Sequence, residues 1–422
     1  MNLLANSRII QLKHYLFIVS CLLCMWTPTS MAAPQLSNQA EVSLMTCDAG
    51  EDLYAAFGHS AIRVHDPVQG IDNVYNYGTF DFDTPGFYVK FMRGKLNYKM
   101  DRDPFRQFYY AYNVRNRAVV QQTLALDSTV KQQLFDKLEI NYLPENRFYL
   151  YDFFFDNCSS RIRDIFVEVL GDSLVFESEF IEKEKTFRQL LDQNLTSKQW
   201  ADFGIDLALG ADVDQIAEPI NYMFLPEYLE SAFDNAFILN NGEKIPFVKQ
   251  KTTIVDKPPL SKDYPFWQRP IFVFSLLFVL ILLWSYFRPP NFDKLYLDKI
   301  LFLIVGLAGL ILFLLWFATD HSTTDNNFNI LWANPIHLLS FILLFKAQKI
   351  KRLNLYFLFF AILNTAFLLL WSFLPQAMHI AFIPIMLTII LRCGVLYYYL
   401  NKKTGPSHTE LLTESLRKEI TK

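Results

Sequence analysis

The chain has 422 residues, with 39 Lys and Arg against 42 Asp and Glu and a formal net charge of −3. That balance gives no electrostatic ground for a nucleic-acid partner. Apolar residues make up 52% of the sequence and aromatic residues 16%, including 40 Phe, and the excess collects in one short N-terminal run and in the last third, which membrane segments explain better than a large soluble core.

In chain order, Arg8 and Lys13 precede an apolar run from Tyr15 to Trp26, and Ser30-Met31-Ala32 follows with small residues. Residues 1–32 read as an export signal whose apolar run is too short to span a bilayer comfortably. Ile18-Val19-Ser20-Cys21 resembles a lipobox, but the apolar run continues past Cys21; a retained anchor is a third reading. Residues 33–239 then read as one exported α+β domain. Ser60 to Val64 alternates as a strand, and Asn73 to Phe80, Leu96 to Met100 and Val119 to Leu126 read as further strands. Ser128 to Asn141 has helical spacing with Ser128 as a plausible cap. Ser159 to Leu170 fits a helix closed by Gly171, and Glu177 to Ala236 is mostly helical. Residues 240–263, polar and ending near Pro258-Pro259, read as a linker.

Residues 264–400 hold five apolar segments, near Phe266–Phe287, Ile300–Ala318, Ile330–Phe345, Leu355–Leu374 and Met378–Leu400, each about long enough for a transmembrane helix and the third only just. Arg288, Lys294 and Lys299 lie between the first two, Lys346, Lys349, Lys351 and Arg352 between the third and fourth, and Lys402 and Lys403 after the fifth. The loops around Asp320–Phe328 and Pro375-Gln376 carry no Lys or Arg. Positive residues mark the cytoplasmic side, so the exported domain lies outside and the tail, residues 401–422, is cytoplasmic. Export signal and loop charges agree on this topology.

Of five cysteines, Cys21 and Cys24 lie in the signal and Cys393 in an apolar segment, which leaves Cys47 and Cys158 in the exported domain. In an oxidising compartment they could pair, or Cys47 could be a buried thiol. Cys158 follows Asn157, a good N-cap, so it falls in the first turn of a helix, where free N–H groups and the helix dipole favour a thiolate; Arg161 and Arg163 add positive field. The bland alternative is an inert buried Cys at a helix start. His59 opens the Ser60–Val64 strand after Gly58 and is the candidate base; His65 reads as a strand-end residue. Spacing alone does not join His59 to Cys158. Arg115 and Arg117 follow the aromatic cluster Phe105, Phe108, Tyr109, Tyr110 and Tyr112, and read as surface arginines beside core aromatics rather than as headgroup contacts. Asp320, His321, Asn327, Asn329, Asn334 and His337 gather at the outward end of the membrane segments, where they either mark a site or cap and hydrogen-bond locally. Asp320 and His321 are too few ligands for a metal site, and neither metal nor cofactor is expected. Arg392 is placed to snorkel at the cytoplasmic end of the fifth segment.

The FGHSAIRV and VYNYGTFDF segments within Gly50–Met100 resemble the Lnb N-terminal periplasmic domain family, as do YDFFFDNCSSRIRD, the FRQLLDQ stretch at Phe187 and the MFLPEYL stretch at Met223. Members are similar to circularly permuted papain-like proteins, including the lecithin–retinol acyltransferase and NlpC-type groups, in which the His strand precedes the Cys helix. The resemblance implies a permuted papain-like exported domain ahead of an all-α membrane domain of five helices, with Cys158 as nucleophile, His59 as base and a third polar group orienting the imidazole. Asn76 is the first choice for that third group, over Tyr77 or His65. Arg161, Tyr77 and Asn157 are the expected substrate contacts. The resemblance further implies an inner-membrane thiol acyltransferase that moves an acyl chain from a phospholipid or diacylglyceryl lipoprotein through a Cys158 thioester to an amine such as a lipoprotein N-terminus. The alternatives are a periplasmic cysteine hydrolase acting on cell-wall peptide or lipid, and a non-catalytic binding protein.

Overall fold

In the computed structural model, residues 33–258, 265–288, 290, 294–350 and 352–404 are described. The expected signal, residues 1–32, and the tail beyond 404 lie outside them.

The N-terminal part is built on a seven-stranded antiparallel sheet of order β10-β5-β1-β2-β3-β4-β6. Its strands are β1 (Glu41–Cys47), β2 (His59–Asp66), β3 (Ile71–Thr79), β4 (Asn97–Pro104), β5 (Val119–Leu124), β6 (Phe148–Leu150) and β10 (Val248–Val255). β1 is buried over six of its seven residues because both faces are covered. Val42 and Leu44 join Ile62, Val64, Tyr75 and Tyr77 under α3 (Ser128–Tyr142) and α4 (Cys158–Leu170). Met45 and Cys47 join Ala61 and Val74 under α2 (Phe105–Val114), whose Phe108 and Tyr112 are the buried side. The period of two thus divides the sheet's side chains between two cores. α3 is capped by Asp127, which accepts from the Val130 amide at 2.8 Å, one residue earlier than Ser128.

A short helix, α1 (Phe87–Met92), leaves the sheet between β3 and β4. After α4 come α5 (Phe187–Leu195), α6 (Gln199–Ala208), α7 (Pro219–Tyr222) and α8 (Pro226–Asp234), and a second sheet of β7 (Leu174–Phe176), β8 (Ala236–Asn240) and β9 (Glu243–Pro246). Residues 240–263 are therefore not a linker along their whole length. β9 pairs with β8, and β10 adds to the edge of the main sheet, with Thr253 opposite Val120. β10 looks like linker in the sequence because an edge strand keeps polar, charged side chains in water, and five of its residues are exposed.

The C-terminal part is helical: α9 (Pro270–Phe287), α10 (Tyr296–Ala318), α11 (His337–Leu343), α12 (Leu353–Leu369) and α13 (Phe382–Thr404). Among the described residues α9, α10 and Phe382–Lys402 are long and apolar enough to cross a membrane. α12 is apolar but shorter. The third expected segment is broken: α11 has seven residues, and a 3-10 stretch, Leu344–Lys349, follows with a kink at Lys346. Arg392 does not snorkel. Its guanidinium lies buried against Asp298, at 2.7 and 2.8 Å, and donates to the Ser285 hydroxyl.

The two parts meet at the end of α6. The last carbonyls of a helix lack internal partners, and here side chains of the membrane part supply them. Asn327 donates to the Leu207 and Ala208 carbonyls, Asn329 to those of Asp206 and Leu207, and Gln376 to that of Leu209. Gly210 lets the chains touch, since a Cβ there would overlap the Asp325 backbone. The polar residues of this loop thus cap and dock. His337, buried within the membrane part, is held between the Tyr356 hydroxyl and the Trp332 carbonyl.

Candidate active site

Cys158 occupies the first position of α4 because Asn157 ends the preceding extended segment. The Asn157 side chain accepts from the Ser159 and Ser160 amides at 2.8 and 2.9 Å, and the Ser160 hydroxyl accepts from the Asn157 amide. This capping box has a further anchor, because the Asn157 side-chain Nδ2 donates to the Phe153 and Phe224 carbonyls. Asn157 therefore has its bonding capacity filled and is buried, so it positions Cys158 rather than meeting substrate. With the next two amides occupied, the amide of Cys158 itself is the donor left beside the thiol at this helix start.

β2 brings His59 to the same place. Gly58 precedes it with φ of +78°, and a Cβ there would sit 2.7 Å from the Cys47 carbonyl oxygen, so the approach of the two chains requires glycine. The His59 imidazole and the Ser60 amide lie beside the Cys158 sulfur and favour its charged form. The Ser60 and Ser159 hydroxyls bond each other at 2.9 Å and tie β2 to the start of α4. On the far side of the ring, His59 Nε2 lies 3.2 Å from Asn76 Oδ1. The Asn76 amide in turn donates to an Asp103 carboxylate oxygen at 3.2 Å and to the Val74 carbonyl. Those two acceptors orient the amide so that its oxygen faces the ring. Nε2 then carries the proton, and Nδ1 is left to serve the sulfur.

Burial pushes the Cys158 thiol up. The His59 charge and hydrogen bond, with the Ser60 amide and the Ser159 hydroxyl, outweigh it, and the net direction is down. The helix dipole acts the same way. Gly78, with φ of +80°, lies against Cys158 and Tyr151, and a Cβ there would be 3.5 Å from that of Cys158. Sequence reasoning did not single out Ser60, Ser159, Gly78 or Asp103. Ser60 and Ser159 are ordinary polar residues until β2 and α4 are in contact.

The other expected contacts are placed differently. Tyr77 points into the core under α3 and α4, and its hydroxyl accepts from Asn141 at 2.8 Å. Asn76 faces the site because β3 alternates. Arg161 is paired with Asp156 at 2.8 Å and stacks on Tyr149, 3.5 Å from its centroid, so it braces the loop before Cys158. Cys47 lies buried at the end of β1 in the cluster that holds Tyr112; burial pushes it up to about 12. Both cysteines are free thiols. Arg117 is buried rather than superficial, with its Nε donating to the Asp48 carbonyl and its guanidinium over Tyr112, while Arg115 is exposed.

Away from this centre, Asp192, Asp202 and Asp206 bring carboxylate oxygens within 4.8 Å of one another. Arg188 lies among them, bonded to Asp206 at 2.6 Å and to Asp214 at 2.9 Å. Burial and the neighbouring carboxylates push Asp192 and Asp202 up to about 7. Arg188 supplies the positive charge there, at the docking face with the membrane part.

Comparison with known families places both halves of the chain. Residues 33–193 match the Lnb N-terminal periplasmic domain, and residues 262–404 match the Lnb transmembrane domain. No curated protein and no solved structure matches the chain.

Proposed function

This chain belongs to the Lnb family, a membrane protein with a periplasmic domain, and on that premise we propose that it is an inner-membrane thiol acyltransferase using Cys158 as nucleophile. The observation that carries this reading is the Cys158–His59–Asn76 arrangement at a capped helix start, with the thiol pushed towards the thiolate. It supports a permuted papain-like mechanism, since the base precedes the nucleophile in the chain.

The Cys158 thiolate attacks the carbonyl carbon of an ester in a phospholipid or a diacylglyceryl lipoprotein. The negative charge that develops on the carbonyl oxygen meets the Cys158 amide at the start of α4. The ester C–O bond breaks, the leaving alkoxide takes the proton held by His59, and a thioester remains on Cys158. An amine, for example the N-terminal cysteine of a lipoprotein, then attacks the thioester carbonyl and gives a proton to His59. The C–S bond breaks, an amide leaves, and the thiolate is restored with the imidazole protonated. Asn76 holds the ring in one tautomer through both halves, and Asp103 holds Asn76.

Membrane attachment favours a lipid donor, because it keeps the thiol near a bilayer surface. Intact-mass analysis of the purified protein with phospholipid tests the reading. A hydroxylamine-labile acyl adduct on Cys158 is expected, absent in Cys158→Ser. No adduct while the enzyme turns over would overturn acyl transfer. An adduct that decays to free fatty acid at a rate indifferent to added amine would identify a hydrolase.

A further inference from the structure

Outside the membrane-spanning helices, exposed apolar side chains concentrate at α1. Tyr88 is 72% exposed, and Val89, Phe91 and Met92 are each more than half exposed, within a helix of six residues. Phe82 and Tyr54, also exposed, extend the patch through ring contacts with each other and between Phe82 and Phe87. A contiguous exposed apolar patch marks a contact surface.

The place of this patch identifies the contact. The Asp320 amide donates to the Arg93 carbonyl at 3.1 Å, the His321 ring meets the Phe91 carbonyl at 3.1 Å, and Lys95 pairs with Asp320 at 3.3 Å. Gly94, with φ of +68°, lets the two backbones touch, since its Cβ would lie 3.3 Å from the Asp320 backbone. Asp320 is two residues beyond Ala318, where the membrane-spanning helix α10 ends. Two residues reach at most about 7 Å. α1 is therefore held at the level where α10 leaves the hydrocarbon. The last turn of α10 shows the same exposure at Leu314 and Phe317.

We propose that α1 and its flanking turns lie in the periplasmic-side leaflet of the membrane that the chain spans, with Tyr88, Val89, Phe91 and Met92 among phospholipid acyl chains and Lys90 and Arg93 at the headgroups. Aromatic residues favour this interfacial depth, and basic stems extend to its polar side. Asp320 and His321 are then the fasteners that set the depth of α1 against α10. The patch also leads inward. Phe87 meets Phe80, Phe80 meets Tyr98, and Tyr98 stacks on Tyr151 at 4.2 Å. Tyr151 and Cys158 both abut Gly78. If Cys158 takes lipid esters, which rests on the function proposed above, this aromatic wall guides the acyl chain from the leaflet to the sulfur.

Photocrosslinking in the full chain tests the lipid contact without requiring turnover. Benzoylphenylalanine replaces Tyr88 in a Cys158→Ala background, reconstituted in nanodiscs of phosphatidylethanolamine and phosphatidylglycerol. A second protein carries it at Val68, which is also exposed but sits at the opposite end of the β2–β3 hairpin. The expected result is a mass shift by one phospholipid at position 88 and none at 68. No lipid adduct at 88, equal adducts at both positions, or adducts at 88 only to another protein chain would overturn the proposal. Because Cys158 is absent, failure here leaves the thioester test unaffected, and failure of the thioester test leaves this one standing.

Discussion

Cys47 and Cys158 are the two thiols of the periplasmic domain, near enough for the Cys158 charge to bear on Cys47, yet their surroundings drive them in opposite directions. Cys47 is opposite His59 in the β1–β2 ladder. It nevertheless faces the aromatic core under α2, where burial among residues such as Tyr112 raises it. Cys158 sits at the first position of a capped helix, with the imidazole, one amide and one hydroxyl around its sulfur favouring the thiolate. Proximity to a histidine does not make a nucleophile. Donors aimed at the sulfur, and access for a substrate, make the difference.

The largest effect that could break this contrast is on activity. Cys158→Ala should lower acyl transfer by about a thousandfold or more, since the covalent step disappears. Cys47→Ala should leave the rate within about threefold, the range of a core change that spares the site. The steady-state rate with a phospholipid donor measures both. A comparable loss in Cys47→Ala, with normal protein levels, would mean that the buried thiol takes part in the chemistry.

His59→Ala comes next, with an expected loss of about a hundredfold to ten-thousandfold. It also sharpens the electrostatic half of the comparison. In the unaltered protein, Cys158 alkylation should reach half its maximal rate at a pH below that of an ordinary thiol, because the folded state favours the thiolate. In His59→Ala burial persists and its main opponent is gone, so the midpoint should move to higher pH. Cys47, raised to about 12, should resist alkylation across this range until the protein is unfolded. Iodoacetamide labelling against pH, read by peptide mass, follows both thiols in one sample.

Asn76→Ala should cost about tenfold to a hundredfold, less than loss of the base itself, because it removes orientation rather than the proton acceptor. A merely structural role for Asn76 would lower the amount of folded protein without moving the pH profile. A positioning role moves the acid limb of the rate profile, and Asp103→Asn should move it the same way by a smaller amount.

The pairing of Cys158 with His59 is legible only through the family resemblance, but each was legible as a candidate from local chemistry: an N-cap followed by a thiol, and a strand that opens on a histidine after glycine. Asn76 was legible for the same reason, as a polar residue on the next strand. The alternation of β3 puts Asn76 and Tyr77 on opposite faces, which assigns Tyr77 to the core. Other features have no local mark. β1 is buried on both faces, so it shows no clean alternation. β10 is a polar edge strand that resembles linker. Arg392 finds Asp298 from 94 residues away, and Asn327, Asn329 and Gln376 cap a helix more than a hundred residues earlier. Such pairings arise from packing, and only the assembled chain displays them.

The smallest expected effect, and the one that bears on both thiols at once, is that of Gly58→Ala. The new Cβ would meet the Cys47 carbonyl oxygen at 2.7 Å, in a backbone conformation that alanine adopts at a cost. The Cys47 carbonyl is backbone and cannot yield as a flexible side chain would, so β1 and β2 must part where Cys47 faces His59. Stability should fall by about 1–3 kcal/mol, seen as a lower melting temperature. The two thiols should respond unequally. Cys47 is protected by the closed end of β1, so its labelling in the native protein should increase. Cys158 is held by its own helix cap and by the Ser60–Ser159 contact, so its labelling should change less. Equal changes at both thiols would show that the cap does not isolate Cys158 from the β1–β2 junction, and that the two environments are one coupled unit.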